Sequence, residues 1–98
     1  MERKYEAVYI LRPTLTEDDY TQAVSRYQEI AKENGAAVER VDVWGMRTLA
    51  SEIAHEKKGY FVLMEFRAQP EQLPSLKERF KLDTNVLRHR VFRLDGER

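Results

Sequence analysis

Three observations predict an α+β fold, a four-stranded antiparallel sheet with two helices on one face. Four stretches rich in β-branched and aromatic residues show the two-residue alternation of strands. Two others carry apolar residues at steps of three and four, the period of a helix. Their order along the chain is strand, helix, strand, strand, helix, strand. With right-handed crossovers this split βαββαβ order gives a sheet in spatial order 4-1-3-2. The second and fourth strands then form the edges, and one sheet face is left uncovered by the chain itself.

The first strand spans Tyr5 to Leu11 and is ended by Pro13. Tyr5, Ala7, Tyr9 and Leu11 fall on one face, Val8 and Ile10 on the other, so the strand is buried on both sides or meets a partner. Thr16 is placed as a helix N-cap, with Glu17, Asp18 and Asp19 in the first turn, where their charge suits the helix dipole. Tyr20, Ala23, Val24, Tyr27, Ile30 and Ala31 form one stripe, and Gly35 after Asn34 is the expected stop. Val38 to Ile53 is a long strand in which Gly45 suggests a bulge or bend. His55 to Gly59 is a polar turn. Tyr60 to Arg67 is the third strand, with Tyr60, Val62, Met64 and Phe66 on one face and Phe61 and Leu63 on the other. Gln69-Pro70 opens a second helix with Leu73, Leu76 and Phe80 as its stripe. Pro74 is tolerable there only in the first turn. Asn85 to Leu94 is the last strand.

The 98 residues suit a single domain over residues 1–98. Without cysteine there is neither a disulfide nor a thiolate metal site. No apolar run approaches the roughly 20 residues of a membrane span, and the first residues lack an apolar signal core. The expectation is a soluble, cytoplasmic protein without membrane contact. Acids and bases balance at 17 each, but not locally. Residues 77–93 carry Lys77, Arg79, Lys81, Arg88, Arg90 and Arg93 against Glu78 and Asp83, a net of +4. Such an end is either a solvated surface or a footprint for a polyanion.

No catalytic residue, metal ligand, cofactor or small-molecule substrate is expected. No nucleophile lies beside a plausible base, no Gly-rich phosphate loop occurs, and His55 and His89 sit in different elements. Lys58-Gly59-Tyr60-Phe61-Val62 is similar to a sheet motif that stacks RNA bases on two aromatics of one strand face. Here Tyr60 and Phe61 are adjacent and point to opposite faces, so that mode is rejected and Lys58-Gly59 is assigned to the turn. In the second strand, Asp42, Arg47 and Thr48 interrupt Val41, Val43, Trp44, Met46 and Leu49. An edge strand needs charge, a bulge or a partner to avoid aggregation. Val43, Trp44 and Met46 cannot all share one face, so both core and partner-contact readings stand.

Gly45-Met46-Arg47-Thr48-Leu49-Ala50-Ser51-Glu52-Ile53 resembles the pattern of the sixth protein of the bacterial small ribosomal subunit. That pattern is Gly, any residue, a basic residue, a polar residue, Leu, Ala or Ser, Tyr, any residue, Ile. Tyr5-Glu6 with Arg12-Pro13, Lys58 to Met64, and Phe80-Lys81-Leu82 through Arg88 are similar to other parts of the family, so the resemblance covers roughly residues 3–94. It implies the ferredoxin-like form of the split βαββαβ fold and a ribosomal protein in the cytoplasm. It also implies two partners: the central domain of the small-subunit ribosomal RNA, and the eighteenth small-subunit protein docked near the second strand. Carried over by position, the protein contact involves Asp42, Val43, Met46, Arg47 and Thr48. The RNA contact involves Arg3, Lys4, Arg79, Lys81, Arg88, Arg90 and Arg93, which would pair with phosphates.

Three positions depart from the family. Thr48 stands where a charged or amide residue is usual, Ser51 where Tyr is usual, and Glu52 where Pro is frequent. Two alternatives remain on the same fold. An acylphosphatase-like enzyme would use Arg12 in an anion-cradling loop, but Arg12-Pro13-Thr14-Leu15 lacks the required glycines. A self-associating module would pair through its edge strand or open face with no RNA role.

Overall fold

The computed structural model describes residues 1–95, so the last three residues of the expected 1–98 domain lie outside it. The elements are β1 (Arg3–Leu11), α1 (Glu17–Glu33), β2 (Ala37–Ile53), β3 (Glu56–Ala68), α2 (Leu73–Leu82) and β4 (Val86–Arg93). A 3-10 turn, Pro70–Gln72, precedes α2. The sheet runs β2-β3-β1-β4 with every pair antiparallel, the order expected.

Helix α1 is closed at both ends by local chemistry. The Asp19 N–H donates to Thr16 Oγ1 at 3.1 Å, and the Thr16 N–H donates to Asp19 Oδ2 at 3.2 Å, a reciprocal cap on two otherwise orphaned donors. At the other end Gly35 adopts φ +91°, which an L side chain resists, and the Ala36 N–H returns to the Ala31 carbonyl at 2.9 Å. The helix buries Tyr20, Ala23, Tyr27, Ile30 and Ala31 against the sheet. They meet Tyr5, Ala7, Tyr9 and Leu11 of β1 and Val62, Met64 and Phe66 of β3, with Leu76 and Phe80 from α2. Tyr9, Tyr27 and Phe80 pack as a trio of rings with centroids 4.4–5.0 Å apart. Contacts of this kind add about 0.5–1.5 kcal/mol per pair beyond area burial.

Several boundaries differ from the sequence reading, and β1 and β2 begin earlier, at Arg3 and Ala37. The polar segment 55–59 is mostly strand: β3 begins at Glu56, and the turn shrinks to Ala54-His55, both at positive φ (51° and 68°). The reason is geometric. β1 ends at Leu11, opposite Tyr60, so the β2–β3 hairpin continues as a two-stranded arm beyond the sheet, where polar residues fit both faces. Gly59 therefore lies in the strand, with Ile10 Cγ2 packed where its side chain would be. Helix α2 starts after the 3-10 turn, which leaves Pro74 in its first turn, and β4 starts at Val86 and ends at Arg93.

Candidate functional site

Strand β2 is an edge whose chain carries two bulged positions in its main ladder, after Val38 and after Val43. At the second, Trp44 is the extra residue and Gly45 takes φ +83°, with open space around it. The glycine is required by the backbone, not by packing. On the helix side the edge exposes Val43 and Met46, about 45% and 43% accessible. Val43 lines a shallow groove with Tyr20, Val24 and Tyr60, where the two tyrosine rings lie 3.8 Å apart and nearly parallel. On the other face Asp42 Oδ2 accepts from Arg40 Nη2 at 3.0 Å and from Trp44 Nε1 at 3.2 Å. The Arg47 guanidinium lies 5.9 Å from the Trp44 ring centroid, and Thr48 is exposed opposite Lys58. The five expected protein-contact residues thus share one edge but divide between its faces. Trp44 and Arg40, absent from that expected set, complete the edge; the signal for Trp44 was its place before the bulge glycine.

The seven expected RNA-contact residues do not form one patch. Register places Arg88 and Arg90 on the open sheet face, opposite Ile10 and Val8. Lys4 is on the same face near its far end, 3.7 Å from Glu39 and 3.9 Å from Glu65. Arg3 and Arg93 lie on the helix side at that end of the sheet, and Arg93 Nε is 3.5 Å from Asp95. Arg79 and Lys81 belong to α2, in the other layer. Arg79 borders a shallow hollow with Arg26, Tyr27, Asp83 and Asn85. There the Tyr27 hydroxyl donates to Asp83 Oδ2 at 2.7 Å.

The titratable groups of the interior are structural in their bonding. Burial pushes the phenols of Tyr9 and Tyr27 well above the usual tyrosine range, and in Tyr27 the Asp83 carboxylate adds to the effect. His89 faces the helices, stacked on Phe80 at 5.3 Å, and burial, then Lys77, pulls its pKa below the ordinary value. Arg12 Nε donates to the Thr84 carbonyl at 2.8 Å, and Nη1 lies 3.7 Å from Glu56. The arginine that an anion cradle after β1 would use is thus engaged with neighbouring chain. Among the described residues no group of three or more His, Asp or Glu gathers as a metal site.

The split βαββαβ order, with β2 and β4 as edges and both helices on one face, defines a ferredoxin-like α+β domain. A family model described as ribosomal protein S6 matches residues 4–93. The small ribosomal subunit protein bS6 of Desulforamulus reducens is 37% identical over 95 residues, covering 97% of this chain and 99% of that protein. The bS6 of Clostridium botulinum is 39% identical over 89 residues, covering 91% and 95%. The crystal structure of 30S ribosomal protein S6 from Thermotoga maritima superposes with a TM-score of 0.92 at 27% identity, over 96% of this chain and 89% of that one. The C-terminal domain of the MgtC protein from Mycobacterium tuberculosis shares the fold alone, at 13% identity and a TM-score of 0.64.

The chain belongs to the ribosomal protein S6 family. It is a protein of the small ribosomal subunit in the cytoplasm, and a structural component of it rather than an enzyme. That sets aside the acylphosphatase-like alternative. Among the described residues no helix is long and apolar enough to cross a membrane.

Proposed function

We propose that this chain binds the central domain of the small-subunit ribosomal RNA and does so jointly with the eighteenth small-subunit protein. The observation that carries the reading is the division of labour on the surface. Of the cations without an acidic partner within 4.0 Å among the described residues, Lys77, Arg79, Lys81, Arg88 and Arg90 sit on α2 and β4, while Arg3 is on β1 and Arg47, Lys57 and Lys58 are on the β2–β3 hairpin. Exposed apolar Val43 and Met46 sit on the β2 edge. Phosphates suit the first group and a protein neighbour the second. The RNA set is Arg3, Lys4, Arg79, Lys81, Arg88, Arg90 and Arg93; the protein set is Asp42, Val43, Met46, Arg47 and Thr48. Because the cations occupy both layers, the RNA wraps the β4–α2 end of the molecule in this reading. Lys4 must loosen from Glu39 and Glu65 to take part.

The test is a titration of a central-domain RNA fragment with and without the eighteenth protein, repeated across salt concentrations. Binding weakens with salt, with a logarithmic slope near −0.9 for each phosphate neutralised in duplex RNA taken as B-DNA-like. Arg88→Ala lowers that slope by about 1 while leaving the fold intact. Met46→Asp removes the gain from the partner protein and spares binding of RNA alone. Salt-insensitive binding, or none under either condition, defeats the proposal.

A further inference from the structure

The open sheet face is divided electrostatically along its strands. Toward one end, Lys4, Arg40 and Arg67 alternate with Glu39, Asp42 and Glu65, in ion pairs of 2.7–3.9 Å. With Glu6, opposite Glu65 on the same face, that half holds three bases and four acids, a net of −1. The other half carries Arg47, Arg88 and Arg90, with no carboxylate within 4.0 Å of any of them among the described residues.

The cationic half also presents aromatic surface. One row crosses all four strands: Trp44 at the bulge, Phe61, Ile10 and Arg88. The Trp44 and Phe61 rings lie within 14° of parallel with centroids 6.2 Å apart. Further along β4, at the border with the acidic half and opposite Glu6, Phe92 is about 44% accessible and shares an apolar hollow with Val8, Ile10, Arg88 and Arg90. Two aromatic stations are thus separated by two arginines. The bulge makes this possible, since it sets Trp44 beside Phe61 on a face where adjacent Tyr60 and Phe61 alone would offer a single ring.

We propose that this half of the open face takes up unpaired nucleotides of the bound RNA. Bases stack on the Trp44–Phe61 pair and on Phe92, and Arg88 and Arg90 neutralise the intervening phosphates. The inference deepens the RNA-binding reading above and rests on it. Charge complementarity selects the occupant. A protein segment would have to supply a carboxylate for each arginine amid apolar contacts, whereas a polynucleotide brings a phosphate with every base. Unpaired nucleotides are required because a duplex hides its base faces from side chains. The two halves set the footprint, since the net-acidic half offers an anion no net attraction.

Trp44 is the single tryptophan of the chain, so its fluorescence reports on this face directly. The intact chain is titrated at low salt with an oligouridylate, with a blunt RNA duplex of equal length, with the central-domain RNA fragment and with the eighteenth protein. The oligouridylate quenches Trp44 saturably and the duplex does not. Phe92→Ala and Phe92→Leu each weaken oligouridylate binding about tenfold; the leucine keeps apolar volume but removes the ring. Arg88→Ala with Arg90→Ala flattens the salt slope by about 1.4. Lys32→Ala, on α1 in the other layer, leaves oligouridylate binding unchanged. Circular dichroism checks that each variant is folded. If the central-domain fragment binds but oligouridylate leaves Trp44 unaltered, or Phe92→Leu binds it like the parent, this inference is overturned while the RNA-binding reading stands. Equal quenching by the duplex overturns it too. A Trp44 response to the eighteenth protein and not to RNA makes the face a protein-docking surface. If no RNA binds, both readings fall.

Discussion

Replacing Gly59 by alanine sets two physical effects of opposite sign against each other. Gly59 does not occupy the left-handed region, so its backbone accepts any residue. On that ground alone Gly59→Ala stabilises the protein by about 0.4–1 kcal/mol, by restricting the unfolded chain. Packing opposes this. The new Cβ overlaps Ile10 Cγ2 and touches Leu49 Cδ2 at 3.5 Å and the Leu11 carbonyl at 3.6 Å. Ile10 is buried and β-branched, so its methyl cannot swing aside without leaving its preferred rotamer. Overpacking of this kind costs about 1–3 kcal/mol, which leaves a net loss of about 1–2 kcal/mol. For a chain of this length that lowers Tm by roughly 5–15 °C. Urea and thermal unfolding of the parent, Gly59→Ala, Ile10→Ala and the double variant give the cycle. In the Ile10→Ala background the overlap is gone, and Gly59→Ala turns neutral or stabilising, a coupling of about 1 kcal/mol or more. If Gly59→Ala is as stable as the parent, or its loss persists unchanged without the Ile10 side chain, the close approach is not what holds a glycine here.

Four further outcomes are expected. Gly45→Ala costs about 1–2 kcal/mol in denaturant unfolding because φ is +83° with space all around, and Gly45→Asn costs less because asparagine tolerates that region. Thr16→Ala removes the reciprocal cap of α1 and lowers stability by about 1 kcal/mol. Tyr27→Phe deletes the donor to Asp83 and costs about 1.5 kcal/mol, softened by the Asn85 N–H and Arg26 that remain on that carboxylate. His89 has a folded pKa below its ordinary 6.5, so its neutral form is favoured in the fold. Its contribution is complete above that ordinary value and is lost as pH falls through the folded one. Unfolding followed from neutral pH to about pH 5 therefore shows a shallower loss for His89→Phe than for the parent.

Much of the fold was legible because local chemistry and long-range packing agree. The alternation of Tyr5, Ala7, Tyr9 and Leu11 matches the face the helices cover. Thr16, the acids after it and Gly35 mark α1 because caps satisfy backbone groups within a few residues, and a sequence can display that. The arm at residues 47–59 was less legible. Polar composition suggests a turn, yet a two-stranded extension tolerates polar residues on both faces, so Lys58-Gly59 sits in β3. Trp44 was ambiguous for a related reason. A one-residue bulge changes which residues share a face, and its register depends on the neighbouring strand.

The candidate site divides the same way. The run of bases from Lys77 to Arg93 is visible in the sequence, but α2 and β4 lie in different layers, so Arg79 and Lys81 part from Arg88 and Arg90. Ion pairing is decided by residues far apart in the chain: Glu39 and Glu65 pair with Lys4, Arg40 and Arg67, while among the described residues no carboxylate lies within 4.0 Å of Arg88 or Arg90. The sequence by itself determined the element order, the helix ends, the core stripes and the family, because each depends on short-range periodicity or on motif order. The tertiary structure alone decided which face Trp44 joins, why residue 59 must be glycine and which cations stand together. Those depend on strand register and on contacts between segments that periodicity cannot bring side by side.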